Sequence, residues 1–179
     1  MLKITVPRTE FYDRKTGRFI DYEAVSFELE HSLVSLSKWE SFWEKPFISE
    51  DDKTSEEVLW YIKAMTLTPD VTDDVYERLT SENLEAVRTY INAKMTATWF
   101  SDTPTKSFST EVVTAEIIYY WMIAFQVPFE CQHWHLERLL TLIKVCEHKN
   151  ADQSKKKTSR SEFLAKRRSL QAQRRAQYS

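Results

Sequence analysis

One glycine in 179 residues, Gly17, is the strongest limit on what this chain can become. Glycine is the residue that takes positive φ without steric cost, so tight hairpin turns and phosphate-cradling loops draw on it heavily. A many-turned all-β fold and a glycine-rich nucleotide loop are therefore both disfavoured. The default is helix. With 42% hydrophobic residues, the length suits one domain of ordinary size plus an appendage.

Charge divides the chain unevenly. Residues 1–148 hold fifteen Lys or Arg against twenty-five Asp or Glu, whereas residues 149–179 hold ten against two, so a net charge of −2 conceals an acidic body with a cationic tail. That split predicts a body over 1–148 with strands within about residues 1–30, a polar linker over 149–158 and a basic C-terminal helix or tail over 159–179.

At the N-terminus, Leu2, Ile4 and Val6 alternate with polar residues, as do Val25, Phe27 and Leu29, at the period of half-buried strands. Asp13–Arg18 carries the glycine and reads as a turn, giving a small hairpin or a three-stranded sheet. From His31 the period lengthens: Leu33, Leu36, Trp39, Phe42 and Trp43 mark a helix that Pro46 stops. Thr54 with Glu57 has capping-box spacing and opens a short helix over Val58–Met65. Thr72 with Asp73 and Asp74 opens another, because carboxylates favour the positive end of a helix, and Glu82–Met95 continues as helix.

Thr96–Thr110, with Pro104, reads as a long loop in which Trp99 and Phe100 are the aromatic pair best placed to meet a partner. Val112–Phe125 is apolar on nearly every face, too short to span a membrane, and expected to be the central helix of the core. After Pro128, the stripe Leu136, Leu139, Leu140, Ile143 and Cys146 defines a last amphipathic helix. Most of the six tryptophans are expected in the core. In the tail, Ser159 with Glu162 is a further capping box. Arg167, Arg168, Arg174 and Arg175 then fall on one stripe around Leu170.

No catalytic signature stands out, and no cofactor is expected. Cys131, His133, His135, Cys146 and His148 invite a zinc reading, but His133 and His135 would point to different sides of a helix, and the gap to Cys146 separates the pairs by several turns. A nucleophile pair of Cys131 and His135 at i, i+4 lacks an oxyanion hole or an activating environment. Paired acids such as Glu56/Glu57 fit helix starts. The first ten residues lack a continuous apolar core and do not read as a signal peptide. The two cysteines, roughly 22 Å apart on one helix, fit a reducing compartment.

Four segments carry a resemblance: HSLVSLSKWESFWEKPF at His31–Phe47, TAEIIYYWMI at Thr114–Ile123, HWHLERLLTLIKVC at His133–Cys146 and SRSEFLAKRRSLQAQRRAQ at Ser159–Gln177. Together they resemble the tail assembly chaperones of long-tailed, siphovirus-type bacteriophages. The resemblance implies a mainly α, non-enzymatic protein in the cytoplasm of the infected bacterium. It would keep the tape-measure protein in solution and recruit tail-tube protein during virion assembly, with self-association or a longer form made by ribosomal frameshift also implied. No partner-contact residue carries over position by position. The tail residues also support two alternatives: a nucleic-acid-binding protein that sets those arginines on phosphates, and a structural virion protein of the tail or its connector.

Overall fold

The computed structural model describes residues 1–14, 17–49, 51–98, 100, 112–151, 164, 165, 167 and 168. They fall in two units, Met1–Thr141 and Leu142–Ser179.

The first unit is mainly helical with an N-terminal β-ribbon. Strands β1 (Leu2–Val6), β2 (Thr9–Asp13), β3 (Arg18–Tyr22) and β4 (Val25–Leu29) form one up-and-back path. β1 pairs antiparallel with β4, and β2 pairs antiparallel with β3. Gly17, at φ +66°, sits in the turn where an L side chain would be strained. Among the described residues the ribbon stays two-stranded, so the hairpin reading holds and the three-stranded one does not. The sequence pattern located β1 and β4 but left β2 and β3 unassigned.

Helices α1 (Leu33–Trp43), α2 (Ser55–Met65), α3 (Asp73–Glu77), α4 (Ser81–Ile91) and α5 (Ala115–Ala124) follow, then a 3-10 turn over Phe129–His133. Residues 136–151 are helical (α6) and cross the unit boundary. The expected capping box at Thr54 and Glu57 is formed. Two more occur with short polar partners, Ser32 with Ser35 and Thr80 with Asn83, each pair satisfying two otherwise orphaned backbone donors. α4 ends at Ile91, short of the expected Met95.

A chain almost without glycine still needs left-handed backbone. Glu44, Asp70, Met95 and Gln126 take φ between 48° and 59°, and Glu44 is the left-handed C-cap of α1. Each asks a non-glycine residue to bear a cost of about 1–2 kcal/mol. α1 thus ends on Glu44, two residues before Pro46.

The core forms where β1 and β4 meet the helices. Ile4, Val6, Phe27 and Leu29 are buried with Trp39, Ile62, Met65, Tyr76 and Val87. Phe27 meets Tyr76 edge-on with ring centroids 5.6 Å apart. Trp39 is fully buried, while Trp43, Trp60, Trp121 and Trp134 are only partly so. Of the five described tryptophans, Trp39 is in the core and Trp43 and Trp60 pack against it, partly buried. Aromatics of this size tend to straddle a boundary between apolar packing and water.

In the second unit, residues 142–151 are helical with Ile143 buried, and residues 164, 165, 167 and 168 are helical and exposed.

Candidate interaction surfaces

Buried polar groups fix the geometry of the first unit. Glu40, on α1, is buried. One carboxylate oxygen accepts the backbone N–H of Phe47 at 2.8 Å and the other that of Ala115 at 2.7 Å. Ala115 is the first residue of α5, so a carboxylate on α1 meets the positive end of α5 and ties the two helices together.

Beside it, His31 Nδ1 lies 2.5 Å from the Tyr61 hydroxyl, and His135 Nε2 donates to the Tyr90 carbonyl at 3.0 Å. The two imidazoles stand edge to face at 5.1 Å. Burial, helped by the nearby His135, holds His31 neutral with its pKa lowered to about 3. The Leu136 N–H donates to the His31 carbonyl at 2.8 Å, which pins the start of α6 to the entry of α1.

This arrangement corrects the helical placement of the histidines. His133 ends the 3-10 turn and is exposed, whereas His135 forms an isolated bridge with Ser32; neither is on α6. Cys131 lies in the same turn, buried, its thiol pushed up by burial and by Glu130. A reactive thiolate needs the opposite environment. Among the described residues, no three His, Cys, Asp or Glu gather where they could hold a metal ion.

α5 departs most from expectation. It was expected to be the central helix of the core, yet it buries only Ala115, Ile118 and Met122, one stripe at i, i+3 and i+7. Tyr120 and Ile123 on its outer side are 66% and 61% exposed. Glu40 holds its start against α1, which packs along it. Beyond its end, exposed Phe129 has its ring 6.4 Å from that of Tyr119, whose hydroxyl donates to Gln132 at 2.9 Å. A mostly apolar helix thus shows one side, with Tyr120 and Ile123, to solvent beside an exposed aromatic ring.

The β2–β3 arm is a second apolar surface, and the sequence pattern did not single it out. Register pairs Phe11 with Ile20 and Tyr12 with Phe19, so successive pairs face opposite sides of the ribbon. All four are exposed, Phe19 at 71% and Phe11 at 61%. Arg8 and Asp21 form a two-pronged ion pair at the root of the arm. The usable signal was the run of apolar residues on either side of the Asp13–Arg18 turn.

A third feature is a groove of about 650 Å³ between Leu2 on β1 and α4. A fourth is an exposed stack, Phe42 on Trp60, with ring centroids 4.7 Å apart.

Of the residues expected to meet partners, Phe100 is half-buried and Arg167 and Arg168 are exposed. Trp99, Leu170, Arg174 and Arg175 lie outside the described residues. No helix among those described is long and apolar enough to cross a membrane.

No protein-family model matches the chain, and neither a curated protein nor a solved structure matches it.

Proposed function

We propose that this protein is a phage tail assembly chaperone: a non-enzymatic protein of the infected host's cytoplasm that covers the apolar helices of a tape-measure protein and brings tail-tube protein to it. The single observation that carries the reading is α5, an apolar helix anchored by Glu40 at its start and exposing Tyr120 and Ile123. Such a face suits helix-against-helix docking, in which an amphipathic partner lays its apolar side on a hydrophobic surface. The resemblance carried by Thr114–Ile123 falls on this same helix. In this reading the basic segment from Ser159 onward recruits a second partner, through Arg167 and Arg168 in the first instance.

Co-expression with the tape-measure protein encoded beside it tests the proposal. Soluble yield of the tape-measure protein should rise with this chain and fall back with the double variant Tyr120→Asp, Ile123→Asp. An equal yield with and without the wild-type chain rejects the reading.

Exposed Arg167 and Arg168 favour one second reading, phosphate binding by the cationic segment. It requires nucleic-acid affinity that drops steeply with salt and disappears when Ser159–Ser179 is deleted.

A further inference from the structure

β1 pairs with β4 on one side only, and the hydrogen bonds of β4 reveal which backbone groups β1 turns outward. In an antiparallel pair, opposite residues alternately point both backbone groups at each other or both away. Glu28 on β4 points both away: its N–H donates to Thr68 Oγ1 at 3.0 Å, and its C=O accepts the Leu67 N–H at 2.8 Å. Lys3 stands opposite Glu28 and Thr5 opposite Ser26, so both direct their backbone groups to the outer edge of β1. There the Thr5 C=O accepts Asn83 Nδ2 of α4 at 3.2 Å. The N–H and C=O of Lys3 and the N–H of Thr5 have no partner among the described residues.

Beside this edge runs the groove along α4. Its floor is apolar, made by Leu2, Ala86, Tyr90 and Met95, and its rim carries Glu82 and Glu85 with no cationic side chain among the lining residues. An unpaired strand edge flanked by a helix and an apolar groove is built to capture extended chain: the edge supplies main-chain hydrogen bonds, and the groove takes alternate side chains. A helical ligand satisfies its own backbone and has no use for Lys3 and Thr5.

We propose that β1 and α4 together bind an extended segment of a partner protein as an added strand. The groove-facing residues of that segment are apolar against Leu2 and Met95 and basic against Glu82 and Glu85, and β1–β4 becomes three-stranded in the complex. This surface shares no residue with the exposed side of α5, so it can be filled whatever α5 covers.

The probe is a synthetic peptide, Arg-Thr-Val-Thr-Val-Thr-Arg, blocked at both ends and titrated into the full chain by calorimetry. Its arginines at both ends serve either strand direction. It should bind one to one, more weakly as salt is added, and slow hydrogen exchange at the amides of Lys3 and Thr5. Thr89→Arg, which narrows the groove and repels the peptide, should weaken binding about tenfold or more. The pair Glu82→Gln, Glu85→Gln, which leaves the Thr80–Asn83 capping box in place, should do the same. Circular dichroism should give these variants the wild-type helical signal, since all three side chains are exposed. Should a variant disturb α4, the same peptide with its backbone nitrogens methylated tests the contact on the wild-type chain and should not bind. No binding of the unmethylated peptide overturns the proposal. So does binding that survives methylation, or binding that leaves Lys3 and Thr5 exchanging as before. Protection of those two amides that rises with chain concentration in the absence of peptide assigns the edge to a second copy, and overturns it too.

Discussion

β1–β4 and β2–β3 are two stretches of one ribbon, joined by only a few residues on each side, and they meet opposite fates. Ile4, Val6, Phe27 and Leu29 in the first stretch are at most 4% exposed, while Phe11, Tyr12, Phe19 and Ile20 in the second are at least 39% exposed. Apolar content barely separates them: Leu2, Ile4, Val6, Val25, Phe27 and Leu29 lie in the first stretch, and Phe11, Tyr12, Phe19, Ile20 and Tyr22 in the second. What separates them is the layer beneath. Tyr76, Val87 and Tyr90 from α3 and α4 join Phe27 and Ile4 in one buried cluster, whereas nothing in that cluster comes from the arm. Strand propensity creates the ribbon, and helix packing decides which half becomes core.

The contrast can be broken by unequal effects of equal changes. Phe27→Ala should cost about 3–5 kcal/mol of stability in urea unfolding, through lost burial and the cavity left behind. Phe19→Ala should stay within about 0.5 kcal/mol, as surface changes do. A large cost for Phe19→Ala would mean that the arm is packed in solution.

Glu40→Ala should come next, at about 3 kcal/mol, because two buried backbone N–H groups lose their acceptor. Hydrogen exchange at Ala115 and Phe47 should accelerate in that variant, while exchange in β1 and β4 lags behind. Equal acceleration throughout would mean that Glu40 secures the whole body and not α5 specifically.

A pH experiment sharpens the picture of the buried side. The folded chain keeps His31 neutral down to about pH 3. In the unfolded chain it takes up a proton near its ordinary value of about 6.5. Below that value the unfolded state binds a proton that the folded state refuses, so stability is full above it and falls by up to about 1.4 kcal/mol per pH unit as pH drops. Urea midpoints near pH 7.5 and 5.5 should differ accordingly, and His31→Gln should flatten the difference.

The smallest effect belongs to a helix start. Thr54→Ala should cost about 1 kcal/mol by removing one half of a capping box. A change in arm exposure in this variant, read from tyrosine or phenylalanine contacts by NMR, would show that body and arm are coupled.

How legible was this in the amino-acid order? Alternation located β1 and β4, three- and four-residue spacing located α1, and the Thr54–Glu57 pair fixed the start of α2, because each signal is local. The fate of α5 was not legible: a mostly apolar decapeptide looks the same whether a fold encloses it or leaves one side in water, and only the hydrogen bond from Ala115 to buried Glu40 shows where it is tied. The His31–Tyr61 and His135–Tyr90 contacts join residues 30 and 45 positions apart, a distance no periodicity can span. Gln126, just past the end of α5, gave no warning of its left-handed backbone, since a helix stop usually announces itself with a glycine. Of the residues expected to face a partner, Trp99 and Phe100 stand out in the sequence by their polar surroundings. The arm aromatics carried no such contrast.

The four left-handed residues have a consequence in the denatured ensemble. Glycine is the residue with the most backbone freedom to lose on folding, so placing Glu44, Asp70, Met95 and Gln126 at left-handed positions narrows the range of shapes open to the unfolded chain. Local strain in the native state is therefore partly offset by a smaller entropy of unfolding. Glu44→Gly would exchange one for the other, and its net effect should be much smaller than the steric relief alone suggests.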